Sequence, residues 1–217
     1  MVGKAPEAGR SKTRLSPPLT PQQAADLYRA FLGDTLAVAV TAAWERVTLI
    51  YPPSAAAEPT LRALVPPSVH LVAQHGTGLG AALADAFRTH LADGFERVVL
   101  IGSDNPTLPS ALLADADHAL DANDLVLGPS ADGGYYLIGM DRPHLGVFED
   151  ITWSTSVVAE QTLARAAALG LRAARIQTWY DVDTGADLAR LRADLARLPA
   201  SVAPATRAVL AELPDAG

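Results

Sequence analysis

Residues 97–106 read Arg-Val-Val-Leu-Ile-Gly-Ser-Asp-Asn-Pro, and this stretch decides the fold. Its first half, Arg97 through Ile101, is β-branched and apolar almost without interruption. A strand of that kind has no water-facing side, as in a parallel sheet covered by helices on both faces. Gly102 and Pro106 end it. A helical pattern follows over about 110–120. Strand, loop and helix in that order make one unit of an α/β fold.

The unit recurs in both directions. Upstream, Thr20 opens a helix as N-cap, with Pro21 at the first helical position and Gln23 completing a capping box. Leu27, Phe31, Leu32, Leu36 and Val38 keep a helical period to about Thr41. Residues 46–51 form a strand closed by Pro52-Pro53, 55–65 a short helix ended by Pro66-Pro67, and 69–73 a second strand. The turn Gln74-His75-Gly76-Thr77-Gly78-Leu79-Gly80 leads into a helix reaching about Ala92. Downstream, strands are expected at 124–127, 135–140 and 173–177, with helices at 155–169, 185–198 and 204–213. Neither repeat nor linker is visible, so residues 1–217 read as a single α/β domain with a mainly parallel sheet.

Composition removes whole classes of function. The net charge of −7 argues against a nucleic-acid surface. With 49% hydrophobic and 19% charged residues, the chain is not wholesale disordered. No apolar run approaches the ~18 residues of a membrane span, and no secretory signal is evident, so a cytoplasmic location is expected. Zero cysteines exclude disulfides and thiolate chemistry. The five histidines show no metal-ligand spacing, and neither a nucleophile elbow nor a Walker A motif is present.

In α/β sheets ligands bind outside the carboxyl ends of the strands, and five loops should gather there. The first, residues 4–15, reads Lys-Ala-Pro-Glu-Ala-Gly-Arg-Ser-Lys-Thr-Arg-Leu and holds both lysines of a chain that otherwise uses fifteen arginines. Lys is a compact charge suited to a phosphate. With Arg10 and Arg14, Lys4 and Lys12 make four cations, while Pro6 and Gly9 keep backbone N–H groups out of a helix. The loop thus reads either as an anion cradle or as a solvated basic segment. On the cradle reading, replacing Lys12 costs nucleotide affinity and leaves the free protein nearly as stable. Such a loop usually hangs from a buried strand, for which Met1-Val2 is too short.

The second loop carries Asp104, a carboxylate that beside phosphates calls for Mg²⁺ and otherwise caps the next helix. The third is the Gln74 turn, where Gln74 could read a base edge and Gly78 opens the helix. The fourth is Asp132-Gly133-Gly134, whose glycines would let a substrate approach the backbone, or which is a plain turn. In the fifth, Asp181 and Asp183 alternate and so point the same way if extended. Asp183 there is a second metal ligand or the cap of the next helix.

Taken together, the motifs at 4–15, 102–108 (Gly-Ser-Asp-Asn-Pro-Thr-Leu), 128–135 (Gly-Pro-Ser-Ala-Asp-Gly-Gly-Tyr) and 181–184 (Asp-Val-Asp-Thr) resemble bacterial nucleotide-diphospho-sugar transferase-like proteins. These include radical-SAM-associated or arsenosugar-type glycosyltransferases and are similar in fold to phospholactate and molybdenum-cofactor guanylyltransferases. The resemblance implies a three-layer Rossmann-like (GT-A) fold that binds a nucleotide with Mg²⁺ or Mn²⁺. It further implies phosphate contacts from Lys4, Lys12 and Arg14, a metal on Asp104, and an acceptor side at Asp132, Gly133 and Gly134. Three functions stay open. One is glycosyl transfer from a nucleotide sugar to a small acceptor, with Asp132 or Asp183 as base and Lys12 and Arg14 stabilising the leaving group. Another is nucleotidyl transfer with release of pyrophosphate, for which four cations are apt. The third is nucleotide binding without catalysis.

Overall fold

A computed structural model describes residues 1–42 and 44–213. Helix α1 (Pro21–Thr41) starts as its sequence dictates: the Thr20 side chain accepts from the Gln23 N–H, and the Gln23 side chain accepts from the Thr20 N–H. The remaining elements are β1 (Val47–Tyr51), α2 (Ala57–Arg62), β2 (Val69–Ala73), α3 (Leu79–Ala92), β3 (Val98–Ile101), α4 (Ser110–Ala119), β4 (Leu125–Pro129), β5 (Tyr135–Met140), α5 (Val158–Ala168), β6 (Ala173–Arg175), α6 (Gly185–Leu195) and α7 (Pro204–Glu212). A 3-10 turn at Leu145–Phe148, unforeseen in the sequence pattern, lies between β5 and α5.

The strands form two ladders, β1-β2 and β3-β5-β4-β6. Residues 1–3 join them. Val2 bridges Ile50 in parallel and donates its N–H to the Ile101 carbonyl at 2.9 Å, while the Gly3 N–H reaches the Ile50 carbonyl at 3.0 Å. Pairings are parallel between β1 and β2 and between β4 and β6; β5 runs antiparallel to both β3 and β4.

Alternate strand residues serve opposite faces, as period-two geometry requires. Leu49, Tyr51, Ile101 and Val126 pack under α1, α2 and α4. Ile50, Leu100, Leu125 and Leu127 pack under α3 and α5. A third cluster covers the far side of α1, where Leu15, Leu27 and Phe31 meet Leu188 and Leu191 of α6 and Leu210 of α7. Asp34 of α1 is buried and accepts the N–H groups of Ala205 and Thr206, capping α7 with a carboxylate at the positive end of its dipole. Among the described residues, no helix is long and apolar enough to cross a membrane.

Candidate active site

The 4–15 loop folds tightly over the carboxyl edge. Gly9 takes φ +75°, which a glycine adopts without strain. Lys12 also sits in the left-handed region, at φ 50°, a cost that a non-glycine residue sustains only where its surroundings impose it. What imposes it is the position of its ammonium group. Lys12 Nζ lies 2.9 Å from Asp104 Oδ2 and 2.7 Å from Asp183 Oδ1, with its side chain only 4% exposed. The rings of Tyr28 and Phe31 flank it at 6.0 and 5.9 Å. Arg14 takes the other oxygen of Asp183 at 2.7 Å.

Charges follow from these contacts. Burial works to lower the Lys12 pKa, but Asp104 and Asp183 outweigh it and raise the pKa above the ordinary lysine value. Burial likewise works to raise Asp183, and Lys12 and Arg14 overturn it, holding that carboxyl below its usual range. A buried ammonium between two carboxylates is expected to support the fold as well, in contrast to the nearly unchanged free-protein stability expected from the loop alone.

A cavity of about 460 Å³ opens on this cluster. Lys4, Lys12, Arg14, Gln74, Gly78, Asp104 and Asp183 all line it, together with Tyr28 and Ser103. Gly78 caps the start of α3 at φ 86°. Gly9 stands in the loop outside the lining, and Arg10 turns away to pair with Glu7 at 3.2 Å, its side chain 73% exposed. The loop therefore presents three cations to the cavity, not four. A larger cavity of about 540 Å³, walled by Trp44, Arg46, His90 and Phe95, contains none of the sequence-derived site residues.

Asp132, Gly133 and Gly134 lie to one side. Asp132 is exposed and its Oδ1 accepts the Gly134 N–H at 3.0 Å. Gly133, at φ 91°, is indispensable for packing: a Cβ there would meet the Ser156 carbonyl oxygen at 1.9 Å. Its own carbonyl accepts the N–H of Ala159 in the first turn of α5. At Gly133 the close approach is thus made by the chain itself. The loop after Tyr180 also differs from one of its readings. Thr184, not Asp183, caps α6, in a reciprocal box with Asp187.

Five further side chains belong to the site. The Tyr28 hydroxyl accepts the Lys4 N–H at 2.9 Å and lies 2.9 Å from Ser103 Oγ, tying the lysine loop to the Asp104 loop. Asp181 accepts from Ser130 Oγ at 2.6 Å and from Asn105 Nδ2 at 2.5 Å. Burial first, with the nearby charges of Asp104 and Asp132, pushes the Asp181 carboxyl up to about 6. The only sequence signal for Tyr28 was its place one turn before Phe31; Asn105 and Ser130 lie within quoted motifs but carried no signal of their own.

The chain matches the bacterial family described as "Uncharacterized protein conserved in bacteria (DUF2064)" over residues 35–155. It belongs to that family. The family segment holds Asp104 and Asp132, while Lys12 and Asp183 come from the flanks. In structure the chain is similar to a candidate nucleotide-diphospho-sugar transferase from Desulfovibrio desulfuricans G20, at 34% identity and TM-score 0.89, covering 97% of this chain and 92% of that one. A nucleotidyl transferase from Methanothermobacter shares the fold at 16% identity and TM-score 0.61, over 90% and 96% of the two chains. So does Mycobacterium tuberculosis Rv0371c in complex with manganese, at 20% identity and TM-score 0.51, over 74% and 84%. No protein of curated function matches. The fold is that of the nucleotide-dependent transferases.

The residues present fit a divalent ion. Asp104 Oδ2 and Asp183 Oδ1 converge on one point, now held by Lys12 Nζ, and two carboxylates plus phosphate oxygens are a usual Mg²⁺ shell. Among the described residues no group of three or more His, Cys, Asp or Glu could hold a metal, so the ion would need the phosphates of a bound nucleotide to complete its shell.

Proposed function

We propose that this protein is a metal-assisted transferase that moves a glycosyl group from a nucleotide sugar to a small hydroxyl-bearing acceptor. The observation that carries the reading is the cluster in which Lys12 spans Asp104 and Asp183 on the wall of the 460 Å³ cavity. That volume is within the ~300–1,000 Å³ typical of small-molecule sites. In this reading Lys4, Lys12 and Arg14 face the phosphates, and Gln74 and Gly78 line the nucleoside end. Asp104 and Asp183 hold Mg²⁺ or Mn²⁺, which when bound neutralises charge on the leaving diphosphate.

The chain's own groups do the rest. The acceptor oxygen bonds to the anomeric carbon as the bond from that carbon to the β-phosphate oxygen breaks, and the electron pair leaves with the nucleoside diphosphate. Lys12 and Arg14 stabilise that charge as it develops. The acceptor proton passes to a carboxylate. Asp181, pushed up to about 6, suits this role better than Asp183, which two cations hold low. Asp132, close enough to raise Asp181, rims the acceptor side.

Three facing cations, two of them already paired with carboxylates, match a diphosphate better than a triphosphate. The likeness to the candidate nucleotide-diphospho-sugar transferase supports the same choice. The test is to incubate the protein with Mn²⁺ and a panel of nucleotide sugars, and separately with nucleoside triphosphates, and to quantify nucleoside diphosphate and pyrophosphate. Nucleoside diphosphate is the expected product. Pyrophosphate released from a triphosphate would establish nucleotidyl transfer instead.

A further inference from the structure

A second cavity, of about 220 Å³, adjoins the first and shares Val2, Leu79, Ser103, Asp104 and Asp183 with it. Beyond that common wall its lining is Leu83, Leu100, Ile101, Gly102, Tyr135, Tyr136, Ile138 and Asp181. Two features set its chemistry. The walls are aliphatic and aromatic. Among the described residues its charged lining side chains are the carboxylates Asp104, Asp181 and Asp183, and Lys12 reaches the first and last of these from the neighbouring cavity. The cations of the lysine loop line the first cavity only.

We propose that this second cavity is the acceptor subsite, and that it takes an uncharged acceptor with a compact apolar body and a hydroxyl directed at the carboxylates. The assignment rests on the donor reading above, because the two cavities meet where the transferred group would lie. An engineered apolar cavity of about 150 Å³ holds benzene, so 220 Å³ accommodates one ring or a short branched chain bearing a hydroxymethyl group. A phosphorylated acceptor would bring its dianion beside Asp181, whose donors Ser130 and Asn105 are neutral, while Lys12 and Arg14 are already engaged by Asp104 and Asp183; like charges in a partly desolvated pocket repel strongly.

The probes are benzyl alcohol and benzyl phosphate, followed by ligand-observed NMR against protein saturated with UDP or GDP and Mn²⁺. Wild type should bind the alcohol at least about tenfold more tightly than the phosphate ester. Leu79, 48% exposed on the shared wall, tolerates substitution. Leu79→Lys should narrow or reverse that preference by placing a cation in the pocket, and Asp181→Asn should narrow it by removing a charge. Benzyl phosphate binding as tightly as the alcohol in wild type, no binding of either probe, or an unchanged preference in both variants would overturn the assignment. The protein is first titrated with UDP and with GDP in the presence of Mn²⁺; failure of both to bind would overturn the donor reading instead, so the two failures are distinguishable.

Discussion

Replacing Lys12 with methionine keeps the stem packed against Tyr28 and Phe31 and deletes only the ammonium group. At 2.9 and 2.7 Å from two carboxylates, that ammonium gains roughly 6 kcal/mol from each at an effective permittivity of about 20. Desolvating it costs several kcal/mol, which cancels much of the gain. What the variant loses is the neutraliser of two facing carboxylates. Removing one partner of a buried pair costs about 3–5 kcal/mol. Here Asp104 and Asp183 are 34% and 25% exposed and Arg14 still holds one of them, so about 2–3 kcal/mol is expected. The assay is urea denaturation of both proteins in EDTA, repeated with millimolar MnCl₂. Because Lys12 occupies the point where the carboxylate oxygens converge, Mn²⁺ without nucleotide should restore part of the loss in Lys12→Met and shift wild type little. A loss below about 0.5 kcal/mol, the scale of an ordinary surface substitution, would refute the reasoning. So would equal Mn²⁺ shifts in the two proteins.

Asp181→Asn tests the buried carboxyl. Its folded pKa of about 6 exceeds the ordinary 3.8, so the folded state holds the proton more tightly. Stability from this group is therefore full below 3.8 and lost as pH rises through 6, a cost of up to roughly 3 kcal/mol at neutral pH. The amide should raise the melting temperature at pH 7–8, give little gain near pH 4, and abolish transfer; a pH-independent effect on melting would count against it. Tyr28→Phe removes the hydroxyl between the Lys4 N–H and Ser103, and about 1–2 kcal/mol of stability should go with it. Calorimetry should also show weaker nucleotide binding, and unchanged affinity would mean that Lys4 is not held for phosphate. Thr184→Ala should cost about 1 kcal/mol by unseating the α6 cap. Denaturation measures it, and a loss under a few tenths would mean that Asp187 alone suffices.

The layers were legible because each element obeyed its own local chemistry. Thr20, Pro21 and Gln23 place the start of α1, and the apolar Val98–Ile101 places a doubly covered strand. The direction of β5 was not legible, since an apolar run reads the same parallel or antiparallel. Within the site, residue type indicated which loops mattered but not which side chains meet. Arg10 and Arg14 are equivalent cations in the sequence, yet one pairs with Glu7 and the other with Asp183. Asp181 and Asp183 share a strand-like stretch. Their opposite shifts come from burial beside Asp104 and Asp132 at Asp181, and from Lys12 and Arg14 at Asp183, surroundings that no local pattern could rank.

The contact between Lys12 and Asp183 spans 171 positions of chain. At a synthesis rate of 5–20 residues per second, about 9 to 34 seconds separate the emergence of the lysine from that of its partner. Until Asp104 emerges neither carboxylate is available, from then until Asp183 emerges Asp104 alone is, and Phe31 meanwhile lacks the cover of α6 and α7. A nascent chain stalled before Asp183 should therefore carry a largely formed sheet and an open basic loop. Its lysine would compete for soluble polyphosphates without the aspartate that later restrains it, and pulse-labelled ribosome complexes offer a direct view of that stage.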